Sequence, residues 1–280
     1  MKDYIYKKVE STVRALLLLC LFATIPLHAE NAEEATATET ATKTEAATKT
    51  TTATKAEADS AYAKEHYQQA ARLYEQVLKQ GVSPELYYNL GNAYYRMDNI
   101  TLAVLNYERA LLLSPGDADI RFNLQMARAK TIDKITPESE MFFVTWYRSL
   151  VNLMGVDSWA RTALVSLLAA ILLTLIYLFA GRIWLRKVGF FGGMAFLVVF
   201  LLSNLFAWQQ RRVLVERTGA IVIRSAVPVK STPSKHGTDL FILHEGTKVT
   251  ITDSSMKDWK EVRVADGKQG WLEASQIEVI

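Results

Sequence analysis

The chain has 280 residues and one cysteine, Cys20, which sits inside its first apolar run. A lone cysteine excludes an intrachain disulfide and a Cys-based metal site, and once that run is removed no thiol remains. Histidine is scarce as well: beyond His28 only His66, His236 and His244 occur, and none has a metal-type partner nearby. There is no His-Glu-x-x-His, no Gly-x-Ser-x-Gly and no glycine-rich nucleotide loop. Glu245-Gly246-Thr247-Lys248 lacks the wider glycine–lysine–hydroxyl spacing of a phosphate-binding loop. Asp258 and Glu261, around Trp259, read as solvated strand charges, and His244 reads as a turn residue. These absences argue against an enzyme and imply no cofactor. Charge of one sign is missing too. The net charge is +3, and much of the excess lies beside apolar segments, so nucleic acid is not an expected partner.

What the chain does have is apolar length. Lys2, Lys7, Lys8 and Arg14 precede Ala15–Ile25, and Pro26-Leu27-His28-Ala29 follows. A basic head, a short apolar core and a small terminal residue predict a signal peptide over 1–29, cleaved after Ala29. Leu19, bulky where a lipoprotein site needs a small residue, argues against lipidation of Cys20. Residues 162–180 and 188–208 carry no charge, and each is long enough to span a bilayer. The loop 181–187 holds Arg182, Arg186 and Lys187 without an anion, which places it in the cytoplasm and both flanks outside. Signal peptide and loop thus give one topology: a bacterial inner-membrane protein with two spans and periplasmic soluble parts. Ser166, Ala170 and Thr174 in one span, with Gly189 and Gly193 in the other, predict close packing of the hairpin on itself.

Residues 30–57 are almost entirely Ala, Thr, Glu and Lys, with nothing to bury, and predict a disordered tether. Aromatic and aliphatic residues at helical spacing begin at Ala58. Tyr87-Tyr88-Asn89-Leu90-Gly91-Asn92-Ala93 recurs 34 positions later as Arg121-Phe122-Asn123-Leu124-Gln125-Met126-Ala127. The unit from Pro84 resembles the tetratricopeptide consensus, with Tyr87, Leu90, Gly91 and Tyr94 on a first helix and Ala103, Tyr107, Ala110 and Pro115 on a second. A preceding unit keeps Tyr67, Ala70 and Tyr74, and Ala118–Lys130 reads as a third first-helix or cap. The repeat domain is therefore 58–131. By resemblance, Tyr88, Asn92, Tyr95, Arg96 and Asn123 line a concave groove for an extended peptide, although Asn89 and Asn123 are read first as bonding only within the repeats. The domain's balanced charge implies no strongly charged ligand.

Residues 132–161 combine Phe142, Phe143, Trp146, Tyr147 and Trp159 with leucines, which suits a linker and an interfacial helix; a last packing helix of the repeats is the alternative. From 209 to 280 the texture is β. Strands are expected at 220–223, 240–243, 249–252, 259–264 and 271–272, with turns at Pro228, Pro233, Gly237, Gly246 and the Asp266-Gly267 hairpin. The order of features resembles a bacterial SH3-like barrel, in which Trp259 and Trp271 are read first as core residues and second as a ligand surface.

The expected fold is therefore multidomain: all-α helical repeats, a two-helix transmembrane hairpin and a small all-β SH3-like barrel. That order, with Asn-Leu-Gly, Asn-Leu-Gln and the closing Gly270-Trp271-Leu272, resembles the BatE-like tetratricopeptide proteins of the Bat (aerotolerance operon) family. The resemblance implies membrane-bound von Willebrand A-type Bat proteins as partners, a MoxR-type ATPase indirectly, and a role in stress or oxygen tolerance. A protein-interaction scaffold is the expected function. The alternative is a cell-wall receptor binding peptidoglycan through the barrel.

Overall fold

The computed structural model describes residues 53–280. The expected signal peptide, Cys20 and most of the tether fall outside the described residues. Five helices open the described chain: α1 (Lys55–Ala63), α2 (Tyr67–Leu78), α3 (Pro84–Arg96), α4 (Ile100–Leu113) and α5 (Ala118–Ala129). The first starts inside the stretch expected to be tether. A Thr-x-x-Glu capping box causes this: Thr54 Oγ1 accepts from the Glu57 N–H, and the Glu57 carboxylate accepts from the Thr54 N–H. Later starts are equally local. Ser83 caps α3 ahead of Pro84, Asn99 caps α4 and Asp117 caps α5. The helices pair antiparallel by small-to-large packing. A Cβ on Gly91 would stand 2.7 Å from the Tyr107 ring, so only glycine lets α3 lie this close to α4.

Three more helices follow: α6 (Phe142–Val151), α7 (Val156–Phe179) and α8 (Ile183–Glu216). The last two are long and apolar enough to cross a membrane, and only 17% of each apolar window is buried, unlike a soluble core helix. Their turn is shorter than the expected loop, because residues 183–187 are already helical. The second also outruns its apolar stretch as far as Glu216; nothing from Trp208 onward breaks a helix, and an Arg212–Glu216 pair supports the end. Gly189 and Gly193 are buried against the facing helix, and a Cβ on Gly189 would meet the Leu173 carbonyl oxygen at 2.7 Å. The small residues therefore pack the hairpin on itself. Trp159 donates to the Val151 carbonyl and meets Phe206 edge-on, which ties α6 to both long helices.

The remaining chain forms one antiparallel sheet of seven strands: β1 (Gly219–Val222), β2 (Ala226–Lys230), β3 (Asp239–His244), β4 (Lys248–Asp253), β5 (Trp259–Arg263), β6 (Gln269–Glu273) and β7 (Ile277–Val279). Their order is β3-β2-β6-β5-β4-β1-β7, an antiparallel sheet whose edge strands β3 and β7 are not paired with each other. Residues of all seven strands, or immediately beside them, meet in one core around Val227, Val229, Val249, Val262 and Leu272. Pro228, expected as a turn residue, lies within β2. That strand pairs along its length with β3 but is paired in the ladder with β6 only at Lys230, so the missing N–H is tolerated. The Asp266-Gly267 hairpin forms as expected, with Gly267 at φ 86°.

Repeats and sheet are docked together. Ile221 and Ile280 join Ala103, Val104, Tyr107, Leu124 and Ala127 in a single apolar cluster. Beside it Glu108, 3% exposed, is bridged by Arg128 of α5 and Lys248 of β4. Arg109 donates to Glu278 and to the Val279 carbonyl, and Thr101 donates to Glu245. The linker after α5 lies across the sheet. Asp133 accepts from the His244 and Thr247 groups at 2.7–2.8 Å, and the Glu138 N–H donates to the Ala265 carbonyl.

Removing the Glu108 carboxylate in a Glu108→Ala chain leaves two half-exposed cations that water can serve, so the expected loss is about 1–2 kcal/mol. Ile221→Ala, which opens a cavity in the same interface, should cost about 2–5 kcal/mol. Denaturation of the detergent-solubilised chain measures both, and a Glu108→Ala chain as stable as wild type would refute the bridge. Asp133 gives a pH test. Burial raises its pKa, but the bonds from the His244 N–H, the Thr247 hydroxyl and the His244 ring outweigh burial and hold it below its ordinary value. A depressed carboxylate stabilises the fold above the unfolded value of about 4, and that stability is lost as pH falls through the folded value. Wild type should exceed Asp133→Asn in stability at neutral pH, with the gap closing in acid.

Candidate functional site

The repeat helices carry a polar relay that itself repeats. In the first unit the Tyr74 hydroxyl of α2 donates to Asp59 Oδ1 of α1 at 2.6 Å, and Asn89 of α3 donates to the same oxygen at 3.3 Å. In the second unit the Tyr107 hydroxyl of α4 donates to Asn92 Oδ1 of α3 at 2.7 Å, and Asn123 of α5 donates to it at 3.0 Å. Tyrosine and acceptor are 15 residues apart in both units. Each acceptor thus ties its own second helix to the next first helix. Burial comes first among the causes that push the Tyr74 and Tyr107 hydroxyls well above their ordinary pKa, so both remain protonated donors. Asp59 is held below its usual value. Burial opposes this, but the bonds from Lys55, Tyr74 and Asn89 prevail.

Four of the five expected groove residues come together around this relay. Asn123 donates to the Tyr88 hydroxyl at 2.9 Å as well as to Asn92. Tyr95, one turn after Asn92, carries the Lys130 ammonium over its ring at 4.5 Å. Arg96 stands apart from them, exposed beside the Tyr62 hydroxyl. Asn89 and Asn123 bond within the repeats, in line with the first reading of both. The Asn92 amide differs, because its oxygen is used and its NH₂ has no protein acceptor among the described residues. An amide held by its oxygen with its donors free suits a peptide carbonyl.

Two residues not selected from the sequence hold the equivalent positions on the next helix. Phe122 and Met126 lie one turn apart on α5 and are exposed. By the 34-residue repeat they occupy the positions of Tyr88 and Asn92. Met126 cannot accept a hydrogen bond as Asn92 does, so the relay ends there and leaves an apolar rim. That alignment was the signal that could have found them.

The sheet offers a second surface. Trp259, Glu261, Trp271 and Glu273 share one face of β5 and β6, since Glu261 pairs with Trp271 and Trp259 with Glu273. Leu272 and Val262 point the other way, into the core. The tryptophans are therefore half-buried on the outer face, contrary to the core reading. Alternation along β6 fixes this, because Gly270 and Leu272 take the inward positions. Among the described residues no group of three His, Cys, Asp or Glu side chains could hold a metal ion.

Asn92→Ala should lose about 1–3 kcal/mol by unpairing Tyr107 and Asn123, and Asn92→Asp should recover part of it by restoring the acceptor. Thermal unfolding of the two variants beside wild type decides this; equal losses would show that the acceptor is immaterial. No characterised protein matches the chain. Residues 55–118 match the tetratricopeptide repeat family model, beginning where α1 begins and ending as α5 starts, so α1 to α4 are similar to tetratricopeptide repeats.

Proposed function

We propose that this protein is a membrane-anchored, non-catalytic scaffold whose repeats hold an extended peptide segment of a partner protein. One observation carries the reading: the Asn92 amide is fixed by its oxygen, keeps its donors free, and shares Asn123 with the Tyr88 hydroxyl. Aromatic side chains give contact area at small entropic cost, and a fixed amide gives the backbone a register. In this reading α7 and α8 span the inner membrane as a hairpin, with Arg182, Arg186 and Lys187 in the cytoplasm. Repeats and sheet then both face the periplasm, and α6 lies in the interface with Phe142, Phe143 and Trp146 toward lipid. The sheet is taken as an SH3-like module. The BatE-like resemblance would make the partners membrane-bound von Willebrand A-type Bat proteins, coupled indirectly to a MoxR-type ATPase in stress or oxygen tolerance.

A cell-wall reading draws on a different observation, the outward placement of Trp259 and Trp271 beside two carboxylates. Peptidoglycan would then be the ligand and the repeats would relay its occupancy.

The test changes groove residues that lie outside the relay. Tyr95→Ala/Phe122→Ser and wild type are crosslinked in native membranes and the captured proteins compared. Wild type should capture a defined partner at least tenfold better than the variant, the scale expected when aromatic anchors are lost. Equal capture would move the contact away from the groove. Retention on peptidoglycan sacculi that depends on Trp259 and Trp271 would favour the wall reading.

A further inference from the structure

Where α4, α6, the last turns of α8 and the sheet meet, the protein forms a half-open pocket of about 890 Å³. Four cations line it: Arg121, Arg148, Arg217 and Lys248. Its one side-chain carboxylate, Glu108, is already bridged by Lys248 and by Arg128. Arg148 is paired with Glu140, whereas Arg121 donates only to the Pro115 carbonyl. Arg217 has no ion pair among the described residues. Among the lining side chains, the charges of Arg121 and Arg217 therefore have no carboxylate partner among the described residues.

A second, independent feature is Gln210 of α8, which lines the same cavity and is 7% exposed. Its Nε2 donates to the Val151 and Met154 carbonyls at 2.6 and 2.7 Å, which fixes the amide's orientation. Its Oε1 is then buried without a donor. A buried acceptor of this kind calls for an N–H or O–H from something else.

Position and shape identify what that is. Gln209 and Gln210 directly follow Trp208, the end of the apolar run of α8. Beside them α6 exposes Phe142, Phe143 and Trp146. This is the depth at which a spanning helix passes from hydrocarbon to headgroups. Leu153 and Val213 line the cavity together with the cations, so it is amphiphilic. An acyl chain uses such surface, and a free anion does not.

We propose that this cavity holds the headgroup of an anionic phospholipid, its phosphate among Arg121, Arg148, Arg217 and Lys248 and a headgroup hydroxyl donating to Gln210 Oε1. The chemistry is that of a phosphodiester bearing a hydroxylated headgroup, as in phosphatidylglycerol. The inference rests on the reading of α7 and α8 as membrane spans.

Unfolding of the full-length chain in a neutral detergent, followed by tryptophan fluorescence, provides the test. The additives are dioctanoyl phosphatidylglycerol, dioctanoyl phosphatidylcholine, inorganic phosphate and a pentaglutamate peptide. Phosphatidylglycerol should raise the midpoint at concentrations where the other three do not. Arg217→Gln should weaken its effect about fivefold, and Arg121→Gln/Arg217→Gln about twenty-fivefold, as expected for one cation each near a lipid surface. Arg182→Gln, at the opposite end of the hairpin, should leave the effect unchanged. Gln210→Met should abolish any preference for phosphatidylglycerol over phosphatidic acid; if that chain does not fold, the arginine variants still decide. Equal stabilisation by phosphatidylcholine, by phosphate or by the peptide overturns the proposal, as does wild-type response in the arginine variants. Carbonate-washed membranes separate the two failures. A chain released by carbonate overturns the membrane reading and this proposal together. A chain retained in the pellet that ignores phosphatidylglycerol overturns this proposal alone.

Discussion

The structure depends on α4 being covered on two sides. Eight of its fourteen residues are buried, among them the polar Thr101, Asn106 and Glu108. One side meets α3, as in any helix pair. The other meets α5 and the sheet, where Ile221 and Ile280 enter the cluster begun by Val104 and Tyr107. A solenoid needs something to close its last apolar surface. Here a sheet supplies much of that closure, and α5 stands without a second helix of its own. Glu108 suits this arrangement. A buried carboxylate is costly unless paired, and its two cations come from the two elements that must converge on α4.

The junction makes repeats, linker and sheet one body and gives the groove a fixed frame. Asp133 and Glu138 bind the linker across the sheet. At the other end of α4, Gly116 lies so close to Leu153 that an added Cβ would fall 2.4 Å from its carbonyl oxygen. The repeats therefore rest directly on the turn between α6 and α7, which Gln210 clamps from α8. The end of α4 thus reaches the long helices through packed backbone and two hydrogen bonds.

Much of this was legible in the sequence where the signal was local. Gly91, Ala103 and Tyr107 announced the helix pair at family spacing, Asp266-Gly267 announced its hairpin, and Gly189 with Gly193 announced the close hairpin helices. The early start of α1 was written in Thr54 and Glu57 but hidden within low-complexity composition. What could not be read was long-range. Asp133 and His244 are 111 residues apart, and Glu108 and Lys248 are 140 apart. Neither pair has a motif, because each residue type is ordinary and only the docking gives it a partner. Trp259 and Trp271 were misjudged for a related reason: an aromatic on a short strand fits either face, and register alone decides. Around the relay, family spacing singled out Tyr88 and Asn92, whereas the use of Asn92 Oδ1 by two donors became visible only with α4 and α5 in place.

The distance along the chain between α4 and its cover also sets a clock. Arg109 waits 169 residues for Glu278, and Thr101 waits 144 for Glu245. At ribosomal rates of about 5–20 residues per second, that interval is on the order of ten to thirty seconds. Throughout it the outer face of α4, including the carboxylate of Glu108, lacks the sheet that will bury it. The two long apolar helices are synthesised within the same interval. A ribosome that stalls between α5 and β1 therefore leaves the repeats whole in sequence but without the sheet that covers α4.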